Sequence, residues 1–279
     1  MDYEEAINKQ YGTSDLGTKI LNTLRDEGID TKIQIQESLA SIEDLHIRGR
    51  SATMELTQGA GLNEGMKVLD VGCGIGGPAR AIVTEYGCNV TGLDLCKEFC
   101  DAAETINNQL GLGKKIEIRQ GNALDMPFDD ESFDFVIVQH VLSNIKNKND
   151  LLSQVHRVLR PQGRFALYEI CAGLITPIHY PVMWANDPSI NFLINPDEFR
   201  QLIKDNGFKE LSWNDGTAKV LEGFQIRKSK QSSTRPSKTQ PINYGLIFKN
   251  LKEKAQNLIR NYEEGRIVVI QGLFERIED

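Results

Sequence analysis

The chain has few of the residues that hold metals or nucleic acid. It contains only four histidines in 279 residues. They stand at His46, His140, His156 and His179, a scatter with no metal-ligand spacing. Five cysteines, Cys73, Cys88, Cys96, Cys100 and Cys171, include no C-x-x-C pair. An odd number at irregular spacing points to reduced thiols in a cytoplasmic setting. Cys96 and Cys100 are one helical turn apart, but two thiols make an incomplete metal site. No apolar run is long enough to span a bilayer, so membrane insertion is not expected. The first residues, M-D-Y-E-E, are acidic and lack an apolar signal core, which argues against secretion. Positive charge is also short. Lys and Arg total 32 against 39 Asp and Glu, a formal net charge of −7, and this argues against a general nucleic-acid surface. There is no internal repeat.

Hydrophobic residues at 40% and charged residues at 25% are ordinary for a globular chain, and the length suits one large α/β domain with additions. Its organising stretch is 68–77, V-L-D-V-G-C-G-I-G-G. An apolar run ends in glycines, and Pro78 then opens a helical pattern. A buried strand, a tight turn and a helix start follow. The glycines admit backbone angles that a side chain forbids and let a ligand lie against the main chain. A cofactor is therefore expected at the carboxyl end of the first strand. Gly72, Gly74 and Gly77 satisfy the dinucleotide pattern G-x-G-x-x-G literally. Asp70 at the strand mouth and Gly76, which makes the series G-x-G-x-G, favour a cationic ligand over a pyrophosphate.

Residues 1–62 have helical character, with Leu16, Ile20, Leu21 and Leu24 on one face and Gly28 as a stop. A further helix is expected over 51–57. This segment precedes the first strand and forms an N-terminal helical cap, leaving 63–279 as the cofactor-binding part of a single structural unit. Tyr11, His46 and Arg50 are its candidates for substrate contact. The second strand ends at Asp94, about twenty residues past the glycines, where a carboxylate accepts hydrogen bonds from both ribose hydroxyls of an adenosine cofactor. Asp94 could equally serve the next helix as an N-cap. The third strand, 116–119, leads into G-N-A-L-D-M-P-F at 121–128. The fourth, 133–138, is apolar enough to be central, and Gln139 and His140 are the first polar groups past its end. His140 is either a base or orienting group, or a structural histidine.

A helix over 151–159 closes on R-V-L-R-P-Q-G-R, before a fifth strand at 165–170. The loop 172–195 is rich in proline and aromatics and suits a lid or substrate wall, with Tyr180 and Trp184 as an aromatic face. Docking of the loop onto the body is the alternative for both. A sixth strand at 208–213 follows. A helical insertion over 216–264 includes a polar, serine-rich stretch at 228–240, a mobile loop or ordered excursion, and an amphipathic helix over 244–262. A last strand covers 266–276.

Asp70-Val71-Gly72-Cys73-Gly74-Ile75-Gly76 resembles the first motif of class I S-adenosylmethionine methyltransferases. G-N-A-L-D-M-P-F and R-V-L-R-P-Q-G-R resemble two later motifs of that family, with Asn122 where the family has an acid and Gln162 in place of a frequent glycine. H-I-R-G-R-S-A-T, P-V-M-W-A and E-G-R-I-V-V-I-Q-G resemble the ubiquinone/menaquinone C-methyltransferase and sarcosine/dimethylglycine N-methyltransferase group. The resemblance implies a Rossmann-like, doubly wound, seven-stranded sheet, mostly parallel, with an antiparallel last strand. It implies S-adenosyl-L-methionine as cofactor, S-adenosyl-L-homocysteine as product and no metal. Asp70, Gly72, Cys73, Gly74, Gly76 and Gln139 would then surround the methionine part. Asp94 and Leu95 would hold the ribose, and Asn122, Ala123 and Leu124 the adenine. The acceptor would be a small molecule, with His140 and Tyr11 as catalytic candidates and His46, Arg50, Tyr180 and Trp184 as substrate contacts. Arg50 is the candidate for an amino-acid carboxylate. Sarcosine or dimethylglycine is the first acceptor expected, a quinol-type carbon or oxygen the second. Two other classes stay open. One is a nicotinamide oxidoreductase, although the chain has no Tyr-x-x-x-Lys pair. The other is a non-catalytic S-adenosylmethionine-binding protein. The expected assembly is a monomer or homodimer.

Overall fold

The computed structural model describes residues 3–39, 43–233 and 244–277. Its frame is a seven-stranded sheet in the order β3-β2-β1-β4-β5-β7-β6. The strands are β1 (Lys67–Val71), β2 (Asn89–Asp94), β3 (Ile116–Gln120), β4 (Phe133–Gln139), β5 (Leu159–Ala172), β6 (Phe208–Asp215) and β7 (Ile267–Arg276). The first five run parallel, and β7 pairs antiparallel with both β5 and β6. Register sets the site. Val71 pairs with Leu93 on one side and Val138 on the other, so Asp94 and Gln139 emerge level with the glycine turn.

Alternation along the strands divides the core. Val68, Phe135, Ile137, Ala166 and Tyr168 face one layer, with Ala52, Ile82 and Leu258. Leu69, Val71, Val136, Val138 and Leu167 face the other, with Val155 and Phe199. The first layer is built from α4 (Arg50–Thr57), α5 (Gly77–Tyr86), α9 (Thr217–Ser233) and α10 (Leu251–Glu263). The second uses α7 (Lys148–Val158) and α8 (Pro196–Asp205). The N-terminal helices are α1 (Tyr3–Tyr11), α2 (Leu16–Asp26) and α3 (Lys32–Leu39). Leu16, Ile20 and Leu24 of α2 bury against Phe99 and Ile106 of α6 (Lys97–Leu110). Among the described residues no helix is long and apolar enough to cross a membrane.

Four segments differ from the sequence expectation. The described residues of the N-terminal segment hold four helices: Gly12 lies between α1 and α2, Gly28 between α2 and α3, and α4 starts after Gly49. β5 begins at Leu159, so the R-P-Q-G turn lies within it, and Gln162 carries φ +61° where a glycine is usual. The polar stretch at 228–240 is helical as far as Ser233, as the end of α9, and residues 234–243 lie outside the described ones. The helix expected over 244–262 is broken. A short 3-10 turn covers Tyr244–Leu246, and α10 starts only after Asn250, whose φ of +55° cannot continue a helix.

Candidate active site

A cavity of about 1140 Å³, its open mouth included, lies at the carboxyl ends of β1 to β4. Its floor is the glycine turn. Gly72 holds φ +72°, and a Cβ there would stand 2.2 Å from Val141 Cγ2. The Gly72 N–H donates to the Leu93 carbonyl at 2.7 Å, which ties the turn to β2. Asp94 closes that side. Its Oδ2 accepts from the Gly74 N–H at 2.8 Å and its Oδ1 from the Cys96 N–H at 2.9 Å. The carboxylate therefore braces the turn it faces and opens α6, while still lining the cavity.

Asp70 is 1% exposed, and its Oδ2 has no hydrogen-bond partner among the described residues. Burial, then Asp44 and Asp94 nearby, push its carboxyl above the usual range. Glu43 also lines the cavity. It is fully buried and shared by two arginines, Arg80 Nε at 2.9 Å and Arg50. No lysine or arginine lines the cavity among the described residues.

The opposite end is neutral and partly aromatic. The ring centroids of His46 and His140 are 5.8 Å apart, and Tyr168 lies 5.7 and 5.1 Å from them. The Nδ1 of His46 lies 3.3 Å from the Ile47 carbonyl and its Nε2 lies 3.1 Å from the Thr53 hydroxyl. The Ile47 carbonyl can only accept, and the Thr53 hydroxyl beside Nε2 also donates to Gln139 Oε1 at 3.3 Å. Burial lowers the His46 pKa to about 4. Burial, then His46, hold His140 well below the ordinary histidine value. Both rings are therefore neutral near pH 7. His140 sits at φ +56°, with its Nε2 unpartnered among the described residues.

That strained backbone is anchored on β5. The His140 N–H donates to the Tyr168 carbonyl at 2.9 Å. Glu169 Oε1 accepts from the Val141 and Leu142 N–H groups at 2.9 and 3.3 Å. Tyr11 approaches from α1. Its hydroxyl donates to Asn144 Oδ1 at 3.0 Å, and its ring lies 5.8 Å from Phe99.

Of the residues expected from sequence, Tyr11, His46, Asp70, Gly72, Cys73, Gly74, Asp94, Leu95, Asn122, Ala123, Gln139, His140 and Trp184 line the cavity. Arg50, Tyr180, Gly76 and Leu124 do not. Arg50 is drawn away by buried Glu43. Tyr180 packs against the core of the α10 layer and bonds Asn191. Gly76 makes room for Arg80, whose Nη1 would lie 2.8 Å from a Cβ. Leu124 packs into the α7 layer. The Asn122 amide is also engaged, since Oδ1 accepts from the Leu124 N–H at 2.9 Å and Nδ2 donates to Glu4 Oε1 at 2.9 Å. Its oxygen keeps one further lone pair for a ligand. Sequence reasoning missed Glu43, Leu45, Asn144, Met183 and Phe248 in the wall. Glu43 stands just ahead of L-H-I-R-G-R, a signal that was available.

Residues 69–167 match the family described as "Methyltransferase domain". Over that stretch, about a third of its length, this chain has a methyltransferase domain. The chain is 41% identical over 114 residues to a sterol 24-C-methyltransferase of Gibberella zeae, a match covering 41% of this chain and 30% of that protein. The chain thus spans under a third of that relative's length. Geranyl diphosphate C-methyltransferase from Streptomyces coelicolor A3(2), solved with Mg2+, geranyl diphosphate and S-adenosyl-L-homocysteine, superposes with a TM-score of 0.71 at 18% identity, over 99% of this chain and 98% of that one. A structure described as a sarcosine dimethylglycine methyltransferase from Galdieria sulphuraria gives 0.63 at 21% identity, over 82% and 85%. At these identities the two structures establish the fold of the methyltransferase domain.

The cavity of the methyltransferase domain fits S-adenosylmethionine. The glycine turn lines the cavity floor, and Asp94 stands at the end of β2 beside it. Acidic walls without a cation suit a sulfonium and its ammonium and repel a pyrophosphate. Among the described residues no group of three or more His, Cys, Asp or Glu is placed to hold a metal.

Proposed function

We propose that the protein transfers a methyl group from S-adenosylmethionine to a small-molecule acceptor, an amine of the sarcosine or dimethylglycine kind first. The observation that carries this reading is the polarity of one cavity. Its glycine-turn end is acidic, and its far end presents neutral His46 and His140 beside Tyr11 and Trp184.

In this reading Asp94 holds the ribose, Asn122 and Ala123 the adenine, and Gly72 and Gln139 the methionine part. The bound sulfonium supplies the activated methyl group. The acceptor nitrogen forms the new bond to carbon, while the electron pair of the breaking C–S bond goes to sulfur. With a secondary amine such as sarcosine, His140 Nε2 accepts a hydrogen bond from the N–H and aims the lone pair; free-base dimethylglycine has no N–H, and for it His140 only shapes the site. Its lowered pKa makes it an orienting group and a poor base, which suits an amine that reacts as the free base. Tyr11 and Trp184 exclude water, and alignment in a closed site provides most of the acceleration. A quinol-type acceptor is the second reading. The similarity to a sterol 24-C-methyltransferase supports transfer to carbon without pointing to a quinol, and the apolar wall of Ile7, Leu45, Met183 and Phe248 suits an apolar acceptor of that kind.

The first test is calorimetry with S-adenosylhomocysteine on the wild type and Asp94→Ala. Binding of about 8 kcal/mol, micromolar in range, is expected for the wild type. A loss of tenfold or more is expected in the variant, since one charge-assisted bond contributes about 1.5–3 kcal/mol. Labelled methyl transfer to sarcosine, dimethylglycine and a quinol then ranks the acceptors. Absence of binding by the wild type would sink the proposal, and binding of NAD instead would replace it with the oxidoreductase reading.

A further inference from the structure

Helix α1 is fastened to the cavity wall near both of its own ends. Near its start, Glu4 Oε1 accepts from Asn122 Nδ2 at 2.9 Å. Near its end, the Tyr11 hydroxyl donates to Asn144 Oδ1 and Gln10 Nε2 donates to the Met183 carbonyl at 3.1 Å. The Gln10 Oε1 also accepts from Asn186 Nδ2 at 2.7 Å. Asn122, Asn144 and Met183 all line the cavity, and so do Ile7 and Tyr11 of the helix. One short helix thus joins the stretch that follows β3 to the wall around Asn144 and Met183.

The Asn122 side chain shows what the first fastening does. Its Oδ1 accepts from the Leu124 N–H at 2.9 Å. A backbone N–H can only donate, so this bond identifies the oxygen. An aspartate would serve that turn as well, because the turn needs only an acceptor. Glu4 needs more. An ionised carboxylate can only accept, so its bond requires the amide nitrogen. Glu4 is therefore the partner that makes use of an amide rather than an acid at 122. Held at both atoms, the amide plane is fixed, and a carboxylate on its N–H strengthens its oxygen as an acceptor. Glu4 itself does not line the cavity, so it acts on a ligand only through Asn122.

We propose that Glu4 is a positioning residue of the adenine subsite: it clamps the Asn122 amide so that Oδ1 receives the adenine amino group, and bound adenine in turn fastens α1 over the cavity. This rests on the S-adenosylmethionine reading of the cavity and deepens it. Cofactor binding then also seats Tyr11 against Asn144, at the other end of the same helix, before an acceptor enters.

The test is calorimetry with two probes, S-adenosylhomocysteine and S-inosylhomocysteine, which carries an oxygen in place of the adenine amino group. Wild type, Glu4→Ala, Asn122→Asp and the paired variant Glu4→Gln with Asn122→Asp are compared. The wild type is expected to prefer the adenosine probe about tenfold or more. Glu4→Ala is expected to weaken S-adenosylhomocysteine about three- to tenfold and to narrow that preference, with S-inosylhomocysteine little changed. Asn122→Asp alone sets two carboxylates against each other and is expected to loosen α1, read as faster hydrogen exchange over the helix. The paired variant returns an N–H donor to the contact and is expected to bring affinity and exchange back toward the wild type. Bound S-adenosylhomocysteine is expected to slow exchange over α1 in the wild type and less so in Glu4→Ala. Equal affinity and equal base preference in wild type and Glu4→Ala, or a paired variant no better than Asn122→Asp, overturns the role of Glu4 and leaves the cofactor reading standing. Failure of the wild type to bind S-adenosylhomocysteine overturns the cofactor reading itself, and the role of Glu4 with it.

Discussion

Replacing Gly72 by alanine tests the geometry of the cofactor floor at its tightest point. Two costs add. The residue holds φ +72°, a left-handed conformation that costs an L-residue about 1–2 kcal/mol. The new methyl would also stand 2.2 Å from Val141 Cγ2, well inside contact distance. Forced overpacking of that kind costs about 1–3 kcal/mol, because neither wall can retreat freely. Val141 is held by Glu169 through its own N–H, and Gly72 by the Leu93 carbonyl. The expected loss is therefore about 2–5 kcal/mol in urea unfolding. Gly65→Ala is the control. Gly65 has φ +85° but nothing within 4 Å of a Cβ, so only the conformational cost of about 1–2 kcal/mol applies. The difference between the two variants isolates the clash. Adding Val141→Ala to Gly72→Ala is expected to return part of it, seen as a coupling of about 1 kcal/mol or more in the double-mutant cycle. Equal losses for Gly72→Ala and Gly65→Ala, or strict additivity with Val141→Ala, would refute the close approach of the two loops.

Glu169→Ala leaves two buried N–H groups without an acceptor and is expected to cost about 2–4 kcal/mol, whereas Glu169→Gln keeps the acceptor oxygen and is expected to cost about 1 kcal/mol; equal losses in chemical denaturation would show that the acceptor is not what matters. Burial raises Glu169 from 4.5 to about 8, so the native state keeps a proton that the unfolded chain releases above 4.5, and stability falls as pH rises toward 8. His46, lowered from 6.5 to about 4, acts in the opposite sense below pH 6.5 and is silent above it. Asp44 and Asp70, raised by burial to about 7 and about 8, act in the same sense as Glu169, so melting temperature is expected to decline between pH 6.5 and 8, with at most about 1.4 kcal/mol per pH unit from Glu169, and the decline is expected to be shallower in Glu169→Gln but to persist.

The glycine-turn end of the cavity was legible because it depends on short-range rules. A strand that ends in glycines must turn, the next strand lies parallel beside it, and Asp94 is then level with the turn. Gly72, Gly74 and Asp94 follow from spacing alone. The opposite end of the cavity was less legible, because its partners are distant in sequence. Arg50 looks like a free cation until Glu43 is found fully buried, and Glu43 is buried because Arg80, 37 residues on, points at it from α5. Gly76 looks like a ligand contact, but its missing side chain makes room for that same arginine. Phe248 escaped notice because an unbroken helix was expected around it. The left-handed Asn250 breaks that helix and leaves Phe248 ahead of α10, in the cavity wall.

The Glu43 pair also shows how the N-terminal segment belongs to the site. Sequence alone makes residues 43–57 an addition ahead of the sheet. In the fold, Arg80 lies in the helix that the glycine turn launches, and its bond to Glu43 fixes Leu45 and His46 over that turn. Gly77 has no room for a Cβ, because Asp44 Oδ1 and the Glu43 carbonyl would lie 2.3 and 2.6 Å away. The turn therefore meets two needs at once. Gly72 makes room for Val141 and Gly74 lies against Leu45, while Gly76 and Gly77 make room for the ion pair that seats His46. A strand-turn-helix with side chains at 76 and 77 could still cradle a cofactor, but it would push away the segment that closes the acceptor end. The consecutive glycines at 76 and 77 are thus the local sequence feature that joins the cofactor floor to the acceptor wall.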